Sequence, residues 1–91
     1  MNWIMSRISF DNLLKTIIKK ELKIKVNSKN KIYDFEEWDS LGNFNILLSC
    51  EKFFKIKFSS REFNKIYSFK EILKIVKKKY NLKKKIKKTV K

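Results

Sequence analysis

Ninety-one residues suit one small domain, whose core is only marginally stabilised against the conformational entropy that folding removes. A hydrophobic content of 43% sets the chain among globular rather than disordered proteins, in spite of 36% charged residues and a formal net charge of +15. With no histidine, no proline, one glycine (Gly42) and one cysteine (Cys50), the chain lacks the means for a Cys/His metal cluster, a histidine-assisted nucleophile, a glycine-rich phosphate loop or an intramolecular disulfide.

From Asp11 the apolar residues Leu13, Leu14, Ile17, Ile18 and Leu22 recur at helical spacing, with Lys15, Lys19 and Lys20 on the other side. That period predicts a first amphipathic helix. Residues 23–38 lose it and gather Asn27, Ser28, Asn30 and Asp34, the composition of a long loop. Within it "LKIKV", residues 22–26, alternates apolar and basic side chains but is short and has no partner strand in view. Trp38 is expected to pack on the bundle from this loop. Asp39, a preferred N-cap whose carboxylate accepts from unpaired backbone N–H groups, starts a second helix with Leu41, Phe44, Leu47, Leu48 and Phe54 as its apolar face. Ser40 falls in the first turn. Cys50, set in this apolar run, is expected as a small core residue rather than an inter-chain partner.

"KIKFSSREFNKIYSF" breaks the period again. Ser59 or Ser60 caps a short third helix of one or two turns that buries Phe63 and Ile66. Ser68, followed three residues later by Glu71, is a capping-box pattern that opens a fourth helix with Phe69, Ile72, Leu73 and Val76 on its face. Phe44, Leu47, Phe54, Phe63, Ile66 and Phe69 are the expected core. With no convincing strand, the chain reads as an all-α, compact three- to four-helix bundle with a long loop between its first and second helices.

The charge is uneven. Residues 68–91 hold 11 basic groups and one acidic group, so two thirds of the net charge lies there. Apolar stretches fall far short of the ~18 residues of a membrane helix, and the N-terminus has no compact signal-peptide region. A soluble monomer of the reducing cytoplasm is expected.

The tripeptide Asp39-Ser40-Leu41 resembles the prosthetic-group attachment motif of acyl carrier proteins, in the variety written W-D-S-L. Downstream, "NILLSCEKFFKIKFSSREFNKIYSFKEILKIVKKK" resembles that family's second helix, its F-x-I-x-F-S connection, its short third helix and its apolar fourth helix. Upstream, "LLKTIIKKELKI" resembles the first helix. The resemblance spans residues 10–80 and implies an acyl-carrier-like domain over 1–80, followed by a basic tail over 81–91.

It implies a function as well. A phosphopantetheinyl transferase joins the Ser40 hydroxyl to the β-phosphate of coenzyme A, leaving 4'-phosphopantetheine as a covalent arm. The protein is then a non-catalytic, phosphodiester-bearing carrier that presents an acyl or aminoacyl thioester to loading and transferring enzymes. Ser40 is the attachment residue by this resemblance, Asp39 the cap and recognition partner, and Leu41 an apolar contact for the modifying enzyme or the arm; no metal site is implied. A phosphodiester at that place is favoured by the free N–H groups and dipole of a helix N-terminus.

The family is usually acidic along its second helix. Here Gly42, Asn43, Asn45, Lys52 and Lys55 replace much of that charge, and only Asp39 and Glu51 remain. A dedicated carrier of one biosynthetic pathway fits better than a general partner of fatty-acid enzymes. The alternative reading is a small basic helical protein that binds nucleic acid or an anionic membrane surface. Nucleic acid is disfavoured, because only two arginines, Arg7 and Arg61, are present and no helix-turn-helix or zinc signature occurs. "KKKYNLKKKIKKTVK" spaces Leu82, Ile86 and Val90 every four residues among lysines, a pattern suited to weak contact with anionic lipid and compatible with a carrier.

Overall fold

Ser9 begins the first element of the computed structural model, which describes residues 9–90 and their side chains as far as Leu82. Its hydroxyl accepts from the Asn12 N–H at 3.1 Å, so helix α1 (Phe10–Leu22) starts with one of its free donors satisfied. Asp11 in the first turn and Lys19 and Lys20 in the last complement the helix dipole. Lys23 ends the helix in the left-handed conformation, φ 59°, and returns its N–H to the Lys19 carbonyl. Leu14, Ile17 and Ile18 are buried, and Leu13 and Leu22 are partly so.

Helix α2 (Ser40–Phe54) packs chiefly against α1. Its buried row is Asn43, Ile46, Leu47, Cys50 and Phe54, the spacing of one helical face. The expected face needs correction: Leu41 is 67% and Phe44 45% exposed, and Leu48 is half-buried. Residues 41, 44 and 48 form an adjacent row with the same helical spacing, and periodicity alone does not say which of two neighbouring apolar rows turns inward. The row with a polar member, Asn43, is the one that turns inward.

The loop from 23 to 38 is pinned at both ends. Ile24 and Val26 are buried while Lys23 and Lys25 are exposed, so the alternation of "LKIKV" packs an extended segment on the bundle without forming a strand. Farther along, the Lys31 N–H donates to Asp34 Oδ2 at 2.9 Å, and this bond, helped by the Asn30 amide, holds the Asp34 carboxyl below the usual carboxylate range. Lys31 also pairs with Ser68 in an isolated antiparallel bridge. The Ile32 N–H donates to the Tyr67 carbonyl at 2.7 Å and the Phe69 N–H to the Asn30 carbonyl at 3.0 Å, which ties the loop to the beginning of the last helix.

Ile56 and Phe58 bury themselves on either side of exposed Lys57, and the Glu51 carboxylate accepts from the Phe58 N–H at 2.8 Å. Helix α3 (Ser60–Phe63) follows, closed by a full capping box between Ser59 and Glu62. Ile66 is buried just beyond it, whereas Phe63 is only half-buried. Glu62 also pairs with Lys79 at 3.0 Å, joining α3 to α4 (Phe69–Val90). Burial works to raise the Glu62 carboxyl, but the Ser59 N–H and Lys79 outweigh it and keep it low.

Ser68 caps α4 by accepting from the Glu71 N–H at 3.1 Å, while Glu71 reaches back to the Tyr67 N–H rather than to that of Ser68. The reciprocal half of the box is thus displaced by one residue. Phe69, Ile72 and Val76 are buried, and Tyr80 packs on Phe10 and Phe54 with ring centroids 5.4 and 6.3 Å away. The helix continues without a break through Val90. Among the described residues there is no strand, and no helix is long and apolar enough to cross a membrane.

Candidate functional site

The long loop delivers Trp38, Asp39 and Ser40 to the start of α2. Asp39 is extended and caps the helix through Oδ1, which accepts from the Gly42 N–H at 2.8 Å. Its backbone carbonyl accepts from the Asn43 N–H at 2.8 Å. Ser40 is the first helical residue and is exposed. Its Oγ lies 2.8 Å from the Tyr33 hydroxyl. Leu41 follows with its side chain open to solvent, and Phe44 stands one turn farther on, its ring 5.0 Å from that of Phe63. An exposed hydroxyl, a capping carboxylate and an apolar surface therefore meet at one end of α2.

This end is held from behind by a buried polar chain. Trp38 is fully buried, and its Nε1 donates to Asn43 Oδ1 at 3.0 Å. Asn43 Nδ2 in turn donates to the Ile66 carbonyl at 2.7 Å. Loop, α2 and the α3–α4 connection are thus fastened by one side chain, with no buried side-chain polar atom among the described residues left without a partner. Asp39, Ser40 and Leu41 follow one another at the start of α2, Asp39 as its cap and Ser40 and Leu41 exposed in its first turn. Tyr33 and Asn43 were not legible as parts of the site: Tyr33 lies seven residues before Ser40 in a loop without periodicity, and the Asn43 partner at Ile66 is 23 residues away.

Gly42 is where the loop and helix approach most closely. A Cβ there would press on the Glu37 backbone carbonyl and meet Leu22 Cδ2 at 3.3 Å and Asp39 Oδ1 at 3.4 Å. Gly42→Ala gains up to about 1 kcal/mol of helix propensity but incurs about 1–3 kcal/mol of overpacking, because a backbone oxygen moves only if the loop moves. The expected net is a destabilisation on the order of 1 kcal/mol, read as a lower urea midpoint. An equal or higher midpoint would mean that the loop gives way freely.

No protein-family model matches the chain, and no curated protein matches it. Among solved structures it is similar to a holo acyl carrier protein from Geobacter metallireducens, solved by NMR in solution. The TM-score is 0.75 and the identity 26%, over 86% of this chain and 93% of that one. The fold is an acyl-carrier-protein-like helical bundle, with its exposed serine at the start of α2.

Proposed function

We propose that this chain is a carrier protein of the W-D-S-L type that takes a 4'-phosphopantetheine arm on Ser40 and presents an acyl or aminoacyl thioester to partner enzymes. The observation that carries this reading is an exposed serine hydroxyl in the first turn of a helix capped by Asp39, on a bundle similar to that of a holo acyl carrier protein. The arm supplies the thiol, so the chain itself carries and presents rather than catalyses. Asp39 fixes the turn and meets the transferase, and exposed Leu41 offers it an apolar contact. The sparse acidic charge of α2 supports a dedicated pathway, separate from general fatty-acid synthesis. Residues 81–91 are a basic extension that the carrier domain, 1–80, does not require, and their lysines make at most weak contact with anionic lipid. The protein works as a cytoplasmic monomer.

Incubation with coenzyme A, magnesium and a broad-specificity phosphopantetheinyl transferase is expected to add the mass of one arm. Thiol titration provides a second readout. Burial, with Glu51 adding to it, pushes the Cys50 thiol up to about 12, so near neutral pH it is inert in the folded protein. The native protein should therefore show no reactive thiol before loading and one afterwards. A folded protein that gains no mass with several transferases removes the basis of the proposal.

A further inference from the structure

The Tyr33 side chain is in an unusual place for an aromatic group. It is 68% exposed, so burial does not explain its position. Its backbone adopts φ 74°, a left-handed conformation that residues other than glycine avoid. The surroundings hold it there: the Tyr33 N–H donates to the Trp38 carbonyl at 2.7 Å, and the Trp38 N–H donates to the Phe35 carbonyl at 3.0 Å. The turn from 33 to 38 thus closes on itself, with Tyr33 at one end and the residues leading into Ser40 at the other. Across the gap, the phenol oxygen is 2.8 Å from Ser40 Oγ.

We propose that Tyr33 is a positioning residue for the arm: its hydroxyl, which holds Ser40 Oγ before attachment, donates to the phosphodiester afterwards and holds the root of the arm against the loop. This rests on Ser40 being the attachment residue. On attachment the Oγ–P bond forms and the pyrophosphate P–O bond of coenzyme A breaks. Adenosine 3',5'-bisphosphate leaves with the electron pair, and the Ser40 proton passes to a base of the transferase or to water. Before that step either hydroxyl can be the donor. After it, Oγ is an ester oxygen with no proton, so the phenol must donate. The best acceptors within its reach are the anionic oxygens on the phosphorus, one bond beyond Oγ. Asp39, the nearest carboxylate in sequence, is already engaged as the acceptor of the Gly42 N–H at 2.8 Å. Tyr33 carries a hydroxyl that can donate, and it is already at the atom where the phosphate arrives.

Wild type and Tyr33→Phe are loaded from coenzyme A, and the phosphorus NMR signal of each is compared in the folded protein and in concentrated urea. The wild-type signal should move away from its urea position on folding, and the Tyr33→Phe signal should lose at least half of that displacement. Phenylalanine keeps the ring and the N–H bond to Trp38, so circular dichroism should be unchanged. If the variant does not fold, wild type alone decides: the ring carbon bearing the Tyr33 hydroxyl, labelled with carbon-13, must shift when the arm is attached. Equal phosphorus displacement in both proteins, or an unmoved ring carbon, overturns the role of Tyr33 and leaves Ser40 as the attachment residue. If neither protein takes an arm, both inferences fall together.

Discussion

Ser40→Ala is expected to abolish arm attachment: after incubation with coenzyme A and transferase the variant keeps its starting mass, while wild type gains one arm. The loss should exceed about 100-fold in rate, since the substitution removes the oxygen that forms the new bond rather than weakening a contact. Folding should be almost untouched. Ser40 is exposed, and its side chain bonds only to the exposed Tyr33 hydroxyl among the described residues, so stability should change by no more than about 0.5 kcal/mol. The chain supplies its own control in Ser60, which follows the cap Ser59 at the start of α3 as Ser40 follows Asp39 at the start of α2. A helix start alone would make Ser60 equivalent. Helix α3 has only four residues, however, and its neighbours are Ser59 and Arg61 rather than Asp39 and Leu41. Continued loading of Ser40→Ala, with the arm mapped to Ser60 or elsewhere, would sink the assignment.

The helices were legible because their signals are local. Leu14, Ile17 and Ile18 in α1 and Phe69, Ile72 and Val76 in α4 follow one period, and Asp39, Ser59 and Ser68 are caps that bond within three residues. The same locality made Ser40 visible, through the two residues that flank it. What failed was the choice between neighbouring faces of α2. Leu41 and Phe44 look like core by hydropathy, whereas buried Asn43 looks like surface. The burial of Asn43 depends on Trp38 and Ile66, and the latter is 23 residues distant, so no window along the sequence contains the reason. Tyr33 was hidden differently. A phenol in a polar loop has no pattern, and its meeting with Ser40 depends on a backbone turn set by the Trp38 carbonyl. The outcome joins the two kinds of miss: the apolar groups left outside, Leu41 and Phe44, border the serine, and the polar group taken inside holds the serine's turn in place.

Phe54→Ala is expected to have the largest effect on stability, about 3–5 kcal/mol, against a total of about 5–15 kcal/mol for a typical domain. Phe54 is 2% exposed at the last turn of α2. Its ring centroid lies 5.5 Å from that of Phe10 at the start of α1 and 6.3 Å from that of Tyr80 in α4. One side chain therefore closes three helices at the end of the bundle remote from Ser40, and alanine would leave a cavity whose walls come from separate elements and cannot collapse together. The thermal midpoint should fall by on the order of 15 °C or more. Phe53, its neighbour, gives the contrast: it is 47% exposed, and Phe53→Ala should cost less than about 1 kcal/mol. Ser40 lies 14 residues back along α2, about 21 Å at the helical rise, so truncating Phe54 should reduce loading only in proportion to the unfolded fraction. Loading should recover on cooling toward the temperature of maximum stability as the variant refolds. Equal melting of Phe54→Ala and Phe53→Ala would contradict this packing. Loading lost while Phe54→Ala remains folded would mean instead that the far end of α2 takes part in recognition by the transferase.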